Sequence, residues 1–261
     1  MSELVRAVAF EEALRERCAE RVVPFRFGRA VFNDTFSHVW ELNVLRVDDP
    51  LGATVEALVE EAERVHSEAG HEHRRIAVRD ETAGSSLEPG FRELDWNVDC
   101  YAFMAWREAA ARPVPSADVQ EVGGGALRDL RHEISNGEPW AETEEIVQQV
   151  LDSGELIARK GNARHFAVVV DGVTASGADL YSDGRTAQVE DLATRPAFRG
   201  RGLASAVMLR AVEEALAAGH DFVFLIADDL DWPKQLYGRL GFKPLGRKWA
   251  FTKRHAPAGP A

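Results

Sequence analysis

Residues 186–218 read TAQVEDLATRPAFRGRGLASAVMLRAVEEALAA, and the fold turns on that stretch. Gln188, Glu190, Leu192 and Thr194 alternate with Val189, Asp191 and Ala193, the period of two that sends successive side chains to opposite faces of a strand. A regular strand would turn Asp191 away from Glu190, and a bulge at this place would undo that alternation. Pro196 ends the strand because it has no N–H for a ladder. Leu203, Val207, Leu209, Val212 and Leu216 then recur near helical spacing up to Gly219, which closes the helix. Strand therefore becomes helix across Arg199-Gly200-Arg201-Gly202. The first N–H groups of a helix lack partners within it and sit at its positive end. Glycines let a ligand approach the backbone, and arginines add charge and donors. Such a turn suits a pyrophosphate.

Arg199-x-x-Gly202-x-Ala204, preceded by a strand and by Arg195-Pro196, resembles the acyl-CoA signature of the GNAT family of N-acetyltransferases. Downstream, Gln235-Leu236-Tyr237-Gly238-Arg239-Leu240-Gly241-Phe242 resembles the closing helix and following strand of that family. The resemblance covers the second half of the chain well and the first half in outline. It implies an α/β (α+β) fold with a mixed, mostly antiparallel sheet flanked by helices, and acetyl-CoA as co-substrate. It further implies that backbone groups of Leu192, Ala193 and Thr194 pair with the pantetheine arm. Arg199, Gly200, Arg201, Gly202, Leu203, Ala204 and Ser205 would hold the pyrophosphate, and Tyr237 would face the thioester sulfur. One departure is the stretch Ala227-Asp228-Asp229-Leu230-Asp231-Trp232-Pro233, where many relatives carry an asparagine that contacts the cofactor. Here Asp231 is expected to cap the helix that Pro233 opens.

The 261 residues, 45% hydrophobic and 28% charged, suffice for two ordinary domains. A formal net charge of -12 and a pI near 5.2 argue against general nucleic-acid or anionic-membrane binding, so the basic turn is a local exception. Cys18 and Cys100 have no metal-ligand spacing, and no metal is expected. The N-terminal stretch lacks the apolar core of a secretory signal, and no apolar run reaches the ~20 residues of a spanning helix. A cytoplasmic location is expected.

Helix and strand patterns fall into two similar sets. The first runs from a helix at 3–21 through extended segments at 22–32 and 42–47, a helix at 54–69, a strand at 75–79, a short helix at 84–94 and a strand at 98–106. Glu108 to Ser116, rich in Ala, Arg and Pro, reads as a linker. The second has a strand at 117–122, helices at 127–135 and 142–151, and strands at 165–171, 173–181 and 186–194 joined by Asp171-Gly172 and Asp183-Gly184 hairpins. Ala69-Gly70-His71 matches Ala218-Gly219-His220, and Phe91 to Trp96 matches Tyr237 to Phe242, at nearly one offset. We therefore expect an N-terminal unit over 1–110, a linker at 111–116, a second unit over 117–255 and a disordered tail at 256–261. The first unit has Asp48-Asp49-Pro50-Leu51-Gly52-Ala53 in place of the basic turn and Phe91 in place of Tyr237, so it reads as a degenerate copy. Tandem members of this kind exist in the family. Duplication lets pairing surfaces be satisfied within one chain, which suits a monomer without deciding against a homodimer.

An amine acceptor with a pKa of ~10.4 is only about 0.04% neutral at pH 7, so a base must help. Glu190 is the first candidate, directly or through water, with Asp191 an alternative; a solvated strand position is the bland reading of Glu190. Tyr237 can protonate or hydrogen-bond the departing thiolate, or else is a core aromatic beside Leu240 and Phe242. His66, His71 and His73 read as surface histidines. Gly123-Gly124-Gly125 precedes a helix and could cradle a phosphate, but reads first as a flexible turn near the acceptor side, and Asn33, Asp34, His38 and Trp40 read as turn and core residues or acceptor contacts. The acceptor, a small-molecule or peptide amine, is not legible.

Two rivals remain. Gly200-x-Gly202-x-x-Ser205 nearly matches a dinucleotide-binding turn with Asp228 as the ribose acid, but such a site should open a series of strand–helix units, and the upstream strands here are hairpin-linked. A non-catalytic acyl-CoA binder keeps the fold and has no need of Tyr237 and Glu190.

Overall fold

The computed structural model describes residues 2–107 and 117–254. The expected linker at 111–116 and tail at 256–261 lie outside them. In chain order the elements are α1 (Glu3–Arg17), β1 (Arg21–Phe25), β2 (Gly28–Phe32), β3 (Val44–Val47), α2 (Val55–Glu68), β4 (His73–Val78), α3 (Glu81–Glu93) and β5 (Asn97–Trp106). There follow β6 (Val119–Val122), α4 (Arg128–Ser135), α5 (Glu144–Lys160), β7 (Arg164–Val170), β8 (Val173–Ser182) and β9 (Thr186–Thr194). The last are α6 (Leu203–Ala217), β10 (Phe222–Asp228), α7 (Pro233–Arg239) and β11 (Phe242–Arg254). Among the described residues no helix is long and apolar enough to cross a membrane.

Two expected elements change. The extended segment 22–32 is a hairpin in which Arg21 faces Phe32 and Phe25 faces Gly28. The helix expected to stop at Leu151 runs to Lys160. Gly154 weakens it by about 1 kcal/mol relative to Ala, but Val147, Leu151, Ile157 and Ala158 are all buried and their packing outweighs that loss.

The chain forms two units, and both ends of it depart from the expected division. One unit comprises residues 18–102, 228–230 and 246–254. Its strands lie in the order β1-β2-β3-β4-β11-β5. Strands β3 and β4 are parallel, Leu45 beside Ile76, while Trp249 to Arg254 of β11 run antiparallel to β4. Thr54 and Asp80 accept N–H groups at the starts of α2 and α3, filling donors that a helix leaves open. The core gathers Leu45, Leu58, Ala62, Val65, Ile76, Phe91 and Phe251, with the last two rings stacked at 4.1 Å. At Gly84 a Cβ would come within 2.5 Å of Trp249 Cε3, so glycine is what lets α3 rest on that ring.

The other unit comprises residues 2–17, 103–107, 117–227 and 231–245, with the strands β6-β7-β8-β9-β10-β5. Helix α1, expected with the N-terminal unit, belongs here, and Phe10 meets Phe224 edge-on at 5.6 Å. Helix α6 buries Val207, Met208, Ala211, Val212 and Ala215 and packs on β7, β8 and β9. Helix α4 packs on β8 and β9.

The three histidines expected on the surface are buried in the first of these units: His66 is 0%, His71 7% and His73 4% exposed. His66 Nε2 lies 3.2 Å from both the N–H and the carbonyl of Arg75, and its Nδ1 lies 3.4 Å from His71 Nδ1. His73 Nε2 bonds the Asn43 carbonyl at 3.0 Å, and Phe32 and Trp40 pack on the rings. They were misread because His66 and His71 flank a helix end, a place where side chains are usually wet. Asn33 is buried too and donates to Cys18 O, while Asp34 pairs with Arg21, so both serve the fold. Burial pushes His66 down to about 3 and His73 down to about 2, and lowers His71 as well. Because the folded pKa values lie below the unfolded one, stability is complete above about pH 6.5 and falls as the unfolded chain takes up protons below it. Each ring contributes up to about 1.4 kcal/mol per pH unit. The thermal midpoint should drop between pH 7 and pH 5, above the usual carboxylate range; a flat midpoint over that window would contradict the buried neutral cluster.

Candidate functional site

Strands β9 and β10 run parallel but share only three residue pairs, Thr186 with Phe222, Ala187 with Val223 and Gln188 with Phe224. Beyond Gln188 the two part, and among the described residues no strand pairs with the β9 edge that faced β10. On its other edge β9 pairs with β8, where Glu190 faces Asp179 and Ala193 faces Gly177. Asp191 and Leu192 thus oppose Ala178 alone, which is a bulge. Asp191 adopts φ 52°, the left-handed region that Asp tolerates better than most residues.

The bulge overturns the expected alternation. Residues directly opposite in an antiparallel pair share a face, so Gln188 and Glu190 share theirs with Tyr181 and Asp179. Asp191 joins them, its Oδ2 lying 3.4 Å from Tyr181 Oη and 3.9 Å from Arg131 Nη2. Gln188, buried, donates from Nε2 to Glu190 Oε1 at 2.6 Å. The Asp191 side chain keeps 48% of its surface open. Even so, burial is the main cause raising its pKa, with Arg131 opposing and Asp179 adding to the rise.

Asp179 anchors this face from within. It is 0% exposed and takes Arg131 Nη2 at 2.6 Å and His165 Nδ1 at 2.7 Å. Burial works against the Arg131 charge, but Asp179 and Asp191 outweigh it and its pKa rises. Burial, then Asp191 and Asp179, hold the Tyr181 phenol far above its ordinary range, so it stays protonated. Sequence reasoning passed over Asp179, Tyr181, His165 and Arg131. An acid within the apolar strand Ala175-Ser176-Gly177-Ala178-Asp179-Leu180 was the available signal, since such a position demands a buried partner.

At the far end of β9, Arg195 donates to the Thr174 carbonyl and pairs with Glu133, fixing the chain before the turn. Gly200 and Gly202 sit at φ 77° and 78°, where a side chain would strain the backbone. Helix α6 then starts at Leu203 with no side-chain cap, and its first intrahelical bond is from the Ala206 N–H to Gly202 O. The preceding N–H groups of Leu203, Ala204 and Ser205 are the ones a helix leaves open. Arg199 and Arg201 fold back onto the Thr194 and Ala197 carbonyls, and Arg201 covers the Phe198 ring.

Tyr237 lies on α7 with its ring edge-on to Phe242 at 6.4 Å. Burial first, then the negative charges of Glu190 and Asp231, push its phenol up to about 12. Glu190 and Tyr237 are therefore near enough to feel one another. The helix begins one residue later than a cap at Asp231 would give: Trp232 is the cap residue, and Asp231 Oδ1 accepts the Trp232 N–H. Cys100, in the other unit, has its thiol pushed up to about 11 mainly by burial, which makes it a poor nucleophile. Among the described residues no group of three or more His, Cys, Asp or Glu is arranged to hold a metal ion.

Residues 126–242 match the acetyltransferase (GNAT) family model. Among solved structures, a functionally unknown conserved protein of Staphylococcus epidermidis is 16% identical, with a TM-score of 0.69 over 91% of this chain and 95% of its own. A "GCN5-related N-acetyltransferase" of Kribbella flavida is 17% identical, with a TM-score of 0.66 over 98% of this chain and 96% of its own. A tandem GNAT protein from the clavulanic acid biosynthesis pathway is 15% identical, with a TM-score of 0.57 over 82% and 76%. At these identities the likeness is one of fold. No curated protein matches the sequence.

Replacing Asp179 by Ala would leave the Arg131 guanidinium buried without its carboxylate, a change that typically costs about 3–5 kcal/mol. Urea unfolding should show a loss of that size. A loss under about 1 kcal/mol would mean that the pair is not held as described.

Proposed function

We propose that this chain, which carries a domain of the acetyltransferase (GNAT) family over residues 126–242, transfers the acetyl group of acetyl-CoA to a primary amine. The fork between β9 and β10 is the observation that carries this reading. Its open β9 edge at Leu192, Ala193 and Thr194 can pair with an amide-bearing arm, and it leads to the glycine turn, where the N–H groups of Leu203, Ala204 and Ser205 can bind the pyrophosphate.

In this reading Glu190 takes a proton from the acceptor ammonium, directly or through water, and the neutral amine attacks the thioester carbonyl. The C–N bond forms, the C–S bond breaks, and the thiolate takes the phenolic proton of Tyr237. A phenol pushed up to about 12 stays protonated at neutral pH and so keeps that proton available. The nitrogen gives up its second proton as the amide forms, Tyr237 is reprotonated, and one proton is released overall. Gln188, by donating to Glu190 Oε1, fixes the rotamer of the base. Asp191 stands on the same face as a second carboxylate able to attract an ammonium group.

Acetyl-CoA at 100 times its dissociation constant should add about 2.7 kcal/mol of stability, and NAD should add none. Gly202→Glu places a carboxylate in the cradle and a side chain at φ 78°, and should abolish the shift. If neither CoA nor acetyl-CoA moves the midpoint, the reading is wrong. CoA release with a panel of small diamines, amino acids and N-terminal peptides then separates an enzyme from a binder. Tyr237→Phe and Glu190→Gln should keep the acetyl-CoA shift and each lower kcat by about 100-fold or more. Full turnover in both would remove these side chains from the chemistry.

A further inference from the structure

The Gly123-Gly124-Gly125 turn before α4 borders a cavity of about 380 Å³ that the transfer reading does not use. Arg131, Arg159, Asn162 and His165 line it, with Glu155 the one carboxylate. Glu155 is already paired with Arg128. Among the described residues Arg159 has no acid partner, and the Arg131 Nε–H, buried, has no acceptor. With His165 Nδ1 committed to Asp179, Nε2 is left as the free position of the ring. A Cβ on Gly124 would stand 3.0 Å from that nitrogen, so the glycine keeps it uncovered.

We propose that this cavity binds a small oxyanion, a carboxylate or phosphate group held by Arg159, the Arg131 Nε–H and His165 Nε2. A buried N–H without an acceptor costs free energy, and an oxyanion supplies what it lacks. Guanidinium groups match the planar pair of oxygens on such a group. The Arg131 charge is already answered by Asp179, so Arg159 supplies the uncompensated charge at the cavity, and in a chain of net charge -12 that attraction is local. Through Arg131 and Asp179 the occupant would touch the pair that holds the β9 bulge, although the binding claim does not depend on catalysis.

The test titrates sodium succinate and sodium phosphate against sodium chloride of equal ionic strength, reading the thermal midpoint and the His165 ring resonances. At ten times its dissociation constant the bound anion should raise the midpoint by about 3 °C above the chloride reference. The His165 signals should move with the same midpoint concentration. Arg159→Glu, an exposed helix position, should weaken binding at least tenfold, and Arg159→Gln should do so less. Which of the two anions acts tells carboxylate from phosphate. The inference fails if neither exceeds chloride, if Arg159→Glu responds as the wild type does, or if the His165 signals stay still. It also fails if Gly202→Glu abolishes the shift, because the anion then sits at the 199–202 turn.

Discussion

Two parallel strands that begin as partners and then separate set the terms for the unit that carries the glycine turn. Had β9 and β10 continued their pairing past Gln188 and Phe224, the sheet would be continuous where the two strands now part. The separation begins where β9 carries an extra residue, and a bulge both bends its strand and increases local twist. The exposed β9 backbone left behind is a row of groups that must find partners in water or in a ligand. A strand-like amide arm meets that need without rearranging the protein, and the glycine turn lies at the end of the same edge.

Such a bulge needs holding. A non-glycine residue at φ 52° stores of order 1 kcal/mol, and the bulge crowds Glu190 and Asp191 onto the face that already carries Asp179. Like charges so placed would drive the strand apart unless cations answer them. Arg131 answers two, and His165 braces the buried one from the other side. Buried ion pairs seldom add net stability over well-packed apolar residues, since desolvation offsets most of their attraction. What this one contributes is position: Arg131 spans β8 and the bulge of β9, so Asp191 cannot swing back to the regular alternation without leaving its partner.

The strand, glycine turn and helix of residues 186–218 were legible because local rules govern them: a two-residue period, a proline stop, then helical spacing. The fork was not, because it depends on where two strands stop pairing, which no local pattern encodes. Alternation separated Glu190 from Asp191, and one inserted residue reversed that. The hairpins at Asp171-Gly172 and Asp183-Gly184 could be read directly, since both glycines take the positive φ such turns require. The division into units could not. Residues 2–17 pack with the C-terminal unit and 246–254 with the N-terminal one, and long-range exchange of this kind leaves no periodic trace. The buried histidines failed for a similar reason, as their polarity argued for water while Phe32 and Trp40 covered them.

The elements β3-α2-β4-α3 and β9-α6-β10-α7 follow one another in the same order and can be compared position by position. Both turns before the helix keep a left-handed glycine, Gly52 at φ 72° and Gly202 at φ 78°. That conformation is imposed by the path from strand to helix, so it persists whatever binds there. The side chains do not. In the first turn the Leu51 N–H donates to Asp49 Oδ1, and Asp48 stands 3.5 Å from Arg29. The protein's own carboxylate takes an amide of the kind that an incoming phosphate would need. Where α7 carries the Tyr237 hydroxyl, α3 carries Phe91, fully buried and stacked on Phe251, so that position serves packing. Restoring a site there would take more than one substitution, because a hydroxyl at Phe91 would be buried in an apolar core with nothing to bond it.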